Sequence, residues 1–248
     1  MVRRRLITVL TVNNGVLFRT RNFNPDYRYT LNFVDAWSVD EVVLLDITKP
    51  GEGDRENFYE VINEFARNCF VPLTVGGGVK DIEDFRILLG MGADKVAINT
   101  KAALNPDFIT ESAKIFGSQC VVVSIDAKIN NKSNYEVFTH FGNKALNLDP
   151  AGWAKRAEEC GAGEILIQSI DMDGTLEGYD NRLNRIISDA VDIPVLVCCG
   201  AGNWKHFVDG FNEGGASAVC TTNIYHFTES SIKSAKQYLL NAGIEVRN

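Results

Sequence analysis

Eight short apolar runs, rich in β-branched residues, recur along the chain, and each is separated from the next by enough residues for a helix. This spacing constrains the fold more than any other feature. The runs are Leu6–Val12, Val42–Ile47, Val71–Val75, Lys95–Ile98, Cys120–Ile125, Glu164–Ser169, Pro194–Cys199 and Ala218–Thr222. Helical stretches fall between them at Asn57–Arg67, Ile82–Gly90, Pro106–Ile115, Pro150–Glu159 and Trp204–Glu213. Pro106 and Pro150 suit first-turn positions, and Gly92, Gly161 and Gly214 suit helix ends. Continuous apolar strands alternating with helices mean a parallel sheet covered by helices. Eight such units in 248 residues predict an α/β fold, one (β/α)8 barrel over residues 1–248.

The chain also repeats itself. Pro72-Leu-Thr-Val-Gly-Gly-Gly-Val79 answers to Pro194-Val-Leu-Val-Cys-Cys-Gly-Ala201, and Gly92-Ala-Asp-Lys-Val-Ala-Ile-Asn99 to Gly215-Ala-Ser-Ala-Val-Cys-Thr-Thr222. Gly78 to Gly200 is an offset of 122, and Gly92 to Gly215 one of 123. Asp46, ending the second run, is matched with Asp171, just beyond the sixth run. The expectation is a duplicated half-barrel, with halves about 1–117 and 118–248 and a pseudo-twofold axis.

Composition narrows the function classes. Apolar residues make up 45% and charged residues 23%, ordinary for a soluble globular chain. No apolar run approaches the roughly 18 residues needed to cross a bilayer. The basic Met-Val-Arg-Arg-Arg start is followed by a short run holding Thr8 and Thr11, which does not resemble a signal peptide, so a cytoplasmic protein without a membrane partner is expected. A net charge of −7 argues against a nucleic-acid partner while leaving room for a local anion site. The six cysteines show no C-x-x-C spacing, and reduced thiols are expected. His140, His206 and His226 share no metal-ligand spacing with carboxylates, so no metal and no cofactor are expected.

In a barrel of this kind the active site forms at the carboxyl ends of the strands. Gly76-Gly77-Gly78 follows the third run, and Asn99-Thr100 follows the fourth. The second half repeats the arrangement with Asp173-Gly174-Thr175, Gly200-Ala201-Gly202 and Thr222-Asn223. Glycines let backbone N–H groups approach an anion, and a following helix N-terminus adds its dipole. One cluster alone reads as a tight turn. Two related by duplication favour two anion sites and an elongated small-molecule ligand phosphorylated at both ends.

Gly163-Glu-Ile-Leu-Ile-Gln-Ser-Ile-Asp-Met-Asp-Gly-Thr175, Thr74-Val-Gly-Gly-Gly78, Gly92-Ala-Asp-Lys-Val-Ala-Ile-Asn-Thr100 and Val123-Ser-Ile-Asp-Ala-Lys128 resemble the cyclase subunit of imidazole glycerol phosphate synthase, from Arg5 to Val246-Arg247. The resemblance implies a partner glutaminase that sends ammonia through the barrel to a bisphosphorylated ribulosyl-formimino carboxamide nucleotide. It also implies two aspartates facing each other across the mouth, ending the first and fifth strands. The fifth-strand member is present as Asp126, but Thr11 stands where the first-strand member should follow Leu10. Thr11 is also the repeat counterpart of Asp126. A threonine hydroxyl does not exchange protons near neutral pH as a carboxylate does, so a loss of roughly 10²–10⁴-fold is expected.

Further departures surround the mouth. Arg19 replaces a phosphate-contacting lysine, Cys198-Cys199-Gly200 replaces a serine and two glycines, and Asn223 replaces a serine. The Asn22–Tyr29 loop lacks the usual pattern. At the other end of the barrel, Arg5, Glu41, Lys95 and Glu164 match the family's ring of charges gating the ammonia path, and Asp94 matches a residue facing the glutaminase. Such a ring also reads as a structural plug.

Three functions follow as expectations. The first is a divergent copy supporting amidation of a sugar in surface-polysaccharide biosynthesis. Its partners would be a glutaminase and an ATP-dependent amidotransferase, and its mouth would dock that third protein or a nucleotide sugar. The second is a genuine histidine-pathway cyclase in which Asp46 or Asp173 covers for Thr11. The third is a sugar-phosphate isomerase akin to the single-chain relative of that pathway, which uses the same two aspartates.

Overall fold

The computed structural model describes residues 4–28, 39–221 and 232–247. Eight parallel strands form the barrel: β1 (Arg5–Asn13), β4 (Glu41–Asp46), β5 (Leu73–Gly76), β6 (Lys95–Ile98), β7 (Val121–Ile129), β10 (Glu164–Ser169), β11 (Val195–Cys198) and β12 (Ala218–Thr221). They lie side by side in the order β10-β11-β12-β1-β4-β5-β6-β7, and the pairing of β10 with β7 closes the ring. The expected (β/α)8 barrel is therefore the observed fold.

The pleat divides the strand residues between two cores, because successive side chains point to opposite faces. Leu6, Leu10, Val42, Leu44, Val121, Val123 and Ile125 face outward into the layer shared with the helices. Ile7, Val9, Val43, Ala97, Val122, Leu166 and Leu196 face inward and fill the lumen. A barrel strand buried on both faces must be apolar throughout, and this is the origin of the continuous runs.

The described helices are α1 (Arg55–Asn68), α2 (Ile82–Gly90), α3 (Thr100–Leu104), α4 (Asp107–Phe116), α5 (Pro150–Glu159), α6 (Asn181–Ser188), α7 (Trp204–Asn212) and α8 (Ile232–Asn241). Asp54, Asp81, Asp149, Asp180 and Asn203 cap the N-termini of α1, α2, α5, α6 and α7, each accepting a first-turn N–H. These helices run antiparallel to the strands, so their capped N-termini encircle the mouth. Pro150 occupies the first turn of α5, whereas Pro106 stands one residue outside α4 as its N-cap.

Several expected boundaries shift for identifiable reasons. The third and seventh strands begin at Leu73 and Val195 rather than at Val71 and Pro194. Pro72 and Pro194 have no N–H and enter the ladder only as acceptors, from Val42 N and Ile165 N. The backbone turns left-handed after α7 at Gly215 rather than at Gly214. Two antiparallel extensions were not anticipated: β2 (Val16–Arg21) with β3 (Asn24–Arg28), and β8 (Tyr135–Thr139) with β9 (Lys144–Ala145). They prolong β1 and β7 respectively over the mouth.

The two halves repeat in register. Ile7 pairs with Glu41 in one half and Val122 with Glu164 in the other. On these rungs Thr11 is equivalent to Asp126. The same register makes Asp46 equivalent to Ser169, which corrects the assignment of Asp46 to Asp171. Thr222, Asn223 and His226 lie outside the described residues, as does Tyr29.

Candidate functional site

The amino ends of the strands bring four charged side chains into one closed ring. Arg5 Nη1 lies 2.5 Å from Glu41 Oε1 and 2.8 Å from Glu164 Oε1. Lys95 Nζ lies 3.2 Å from Glu41 Oε2 and 2.8 Å from Glu164 Oε2. Each cation thus serves both anions, and the ring is neutral overall. Burial works against the charge on Arg5, but Glu164 and Glu41 outweigh it and its pKa is raised. Its Nε and Nη2 are buried with no hydrogen-bond partner among the described residues. The ring is costly to bury and strongly destabilised if one member is lost. Exposed Asp94 stands beside it and accepts from Leu73 N at 2.8 Å, fixing the start of β5. Ser217 does the same for Val195 in the other half, at 3.3 Å.

At the carboxyl ends, Asp126 is almost fully buried. Gln168 Nε2 donates to its Oδ1 at 3.1 Å and to Ser124 Oγ at 3.1 Å. Burial pushes the Asp126 carboxyl up to about 7, against hydrogen bonds from Asn99 and Gln168. A carboxyl of that pKa can give or take a proton near neutrality. Asn99, expected at a phosphate, therefore also holds Asp126. Opposite, the Thr11 hydroxyl donates to the carbonyl of Phe18, its cross-strand partner on β2. Its proton is committed to the hairpin.

The other sequence-selected residues divide by surroundings. Asp173 is buried and pins the β2–β3 hairpin: its carboxylate accepts from Thr20 Oγ1 at 3.1 Å and Phe23 N at 2.9 Å, and its carbonyl accepts from Asn22 N at 3.2 Å. Burial raises its pKa, and these hydrogen bonds oppose the shift. Asp46 accepts from Thr48 N at 2.9 Å and pairs with Arg55 Nη1 at 2.8 Å. Arg19 pairs with Asp26 at 2.6 Å and lies over Tyr27. Thr100 Oγ1 accepts from His140 N at 3.4 Å, and Thr175 Oγ1 donates to Met172 O at 2.9 Å.

The two glycine clusters meet their own backbone before any ligand. A side chain at Gly77, where φ is +97°, would collide with Asp46 O at 2.2 Å. One at Gly200, where φ is +98°, would collide with Gly178 O at 2.0 Å. Gly174 is overlaid by Thr20 O and Ala201 is buried. The amides just before the N-caps of the next helices are held in parallel fashion: Lys80 N donates to Asp84 Oδ2 at 2.7 Å, and Gly202 N to His206 Nδ1 at 3.0 Å. Close packing thus explains part of each cluster.

Arg55 was missed from the sequence. Its Nη1 would lie 2.8 Å from a side chain on Gly78, and its Nη2 is buried with no hydrogen-bond partner among the described residues. A cation there suits an anion at the first cluster. The available signal was its place in the first turn of α1, following Asp54, where a solvated charge is the ordinary reading. Among the described residues, no group of three or more His, Cys, Asp or Glu is arranged to hold a metal ion. No helix among them is long and apolar enough to cross a membrane.

The fold, the ring of charges at one end and the buried carboxylates at the other sit in a chain whose residues 8–231 match the model of a family described as histidine biosynthesis protein. That span covers most of the sequence, and the chain belongs to the histidine biosynthesis protein family.

Proposed function

We propose that this barrel is the synthase-type subunit of a glutamine amidotransferase pair. A partner glutaminase docks at the floor around Asp94 and delivers ammonia past Arg5, Glu41, Lys95 and Glu164. A phosphorylated small molecule binds at the mouth. Its first phosphate is held by Gly77, Gly78, Asn99 and Thr100 with Arg55, and its second by Gly174, Thr175, Gly200 and Ala201 with Thr222 and Asn223. In this reading the chain is a divergent copy of the cyclase subunit that supports amidation of a surface-polysaccharide sugar, with an ATP-dependent amidotransferase as third protein.

The observation that carries the reading is the contrast between the two ends. The floor ring is complete, with both cations shared between both anions. Lys95 can swing away while Arg5 still pairs with both glutamates, so a path can open without orphaning a carboxylate. At the mouth Asp126 is tuned for proton transfer, but its counterpart Thr11 is a hydroxyl spent on a backbone carbonyl. Ammonia delivery is supported by this arrangement, and two-carboxylate chemistry is not.

One observation favours the histidine-pathway reading instead. Asp173 is buried, its pKa is raised, and it lies within electrostatic reach of Asp126. It can serve as the second acid if it releases Thr20 and Phe23. Asp46, tied to Arg55, is the weaker substitute.

The pairing is tested by mixing the barrel with the candidate glutaminase and following glutamine hydrolysis. The expected result is a one-to-one complex with stimulated hydrolysis, lost in Asp94→Lys. No complex and no stimulation would overturn the ammonia-delivery half of the proposal.

A further inference from the structure

Three cysteines meet inside the barrel between the floor ring and the mouth carboxylates. Cys198 ends β11, Cys199 follows it and Cys220 lies on β12, and all three belong to the inward-facing cluster that fills the lumen. The β11–β12 register pairs Leu196 with Ala218 and Val197 with Val219, so the next rung sets Cys198 directly beside Cys220. Strands in a sheet lie roughly 4.8 Å apart, within the Cα separation that a disulfide spans, and both side chains point to the same face. Cys199 stands at the position Gly77 occupies in the other half, with φ +78°, and packs in the same inward-facing cluster as the other two.

We propose that Cys198, Cys199 and Cys220 form an oxidisable thiol site in the lumen, where Cys198 is oxidised first and Cys220 resolves it as an intrachain disulfide. The oxidant is hydrogen peroxide, which enters through the mouth, where Cys198 and Cys199 keep a small exposed area. The Cys198 thiolate attacks one peroxide oxygen. The O–O bond breaks, the leaving oxygen takes a proton as water, and the sulfur becomes a sulfenic acid. The Cys220 thiolate then attacks that sulfur, the S–S bond forms, and the hydroxyl leaves with the Cys220 proton as a second water. Two thiols lose two protons and two electrons, and the peroxide is reduced to two waters.

The order of attack follows from access. Cys220 is fully buried on β12, whereas Cys198 keeps a small exposed area at the carboxyl end of β11. Burial also pushes the Cys220 thiol up, away from the reactive thiolate form. An oxidant therefore meets Cys198 first, and Cys220 is placed to resolve it. Cys160 is buried away from this cluster, and Cys69 and Cys120 are half-buried in the outer layer.

The test is thiol mapping of the reduced full-length protein after hydrogen peroxide treatment, alkylation and digestion without reductant. The expected product joins the Cys198 and Cys220 peptides, lighter by two hydrogens, and dithiothreitol reverses it while Cys160 stays free. In Cys220→Ser a sulfenic acid at Cys198 is trapped by a dimedone probe. In Cys198→Ser neither product forms. The proposal is overturned if Cys198 and Cys220 stay free, whether or not Cys69 or Cys120 is oxidised, or if Cys198 pairs with Cys199. The wild-type map decides the matter even if a variant fails to fold.

Discussion

Thr11 and Asp126 stand on equivalent rungs of the two half-barrels, each four residues beyond the position paired with a floor glutamate. The backbone offers both the same place at the mouth. One carries a hydroxyl bound to the Phe18 carbonyl, and the other a buried carboxyl raised to about 7. The asymmetry therefore comes from the side chain and its hairpin partner.

The raised carboxyl makes a stability prediction. From the ordinary value of 3.8 up to about 7, folded Asp126 keeps a proton that the unfolded chain has released. The stability this proton confers is complete below the unfolded value and is lost as pH rises through about 7. Asp126→Asn should match wild type near pH 4 and exceed it by a few kcal/mol above about pH 8. Asp173, also raised by burial, leaves a residual slope of the same sign in the variant. Thermal melts across this range check the difference, and parallel pH profiles would contradict it.

The floor ring predicts a large loss on breaking it. Glu41→Ala leaves Arg5 and Lys95 sharing Glu164 alone in a buried setting. A loss of roughly 3–5 kcal/mol is expected in urea unfolding. A change below about 1 kcal/mol, the range of exposed pairs, would show that water reaches the ring freely.

Asp173 predicts a latch. Asp173→Ala removes the carboxylate that accepts from Thr20 and Phe23. Hydrogen exchange at the Phe23 amide should accelerate roughly 10–100-fold, from a hydrogen bond to a charged group worth about 1.5–3 kcal/mol. Unchanged exchange would mean that strand pairing alone holds the hairpin.

Arg55 predicts where an anion sits. Titrating inorganic phosphate should shift the Gly77 and Gly78 amide resonances, and Arg55→Ala should abolish the shifts. If wild type shows none, Gly77 serves only the close approach to Asp46 O and Gly78 only that to Arg55.

The barrel was legible because its strands are apolar on both faces, and the floor ring because Arg5, Glu41, Lys95 and Glu164 each open or immediately adjoin such a run. The counterpart relation of Thr11 and Asp126 was legible from the repeat. The β2–β3 and β8–β9 hairpins were not, since strands such as Asn24–Arg28 are exposed throughout and carry no apolar alternation. The equivalence of Asp46 with Ser169 emerges only once the strands are paired. The neighbouring positions of Cys198 and Cys220 emerge only once β11 and β12 are paired, and the approach of Arg55 to Gly78 only once α1 is set against the mouth.

In the proposed function the mouth offers one proton-transfer group, Asp126, where a two-carboxylate cyclase needs two. The direct measurement is steady-state turnover of the histidine-pathway nucleotide with ammonium chloride at high pH, comparing wild type with Thr11→Asp. Ammonium removes the need for the partner, so only the mouth is examined. A silent wild type and measurable turnover in Thr11→Asp are expected. Wild-type turnover of about 1–10³ per second, the range of ordinary enzymes, would contradict this reading and assign the second proton transfer to another group, with Asp173 first in line.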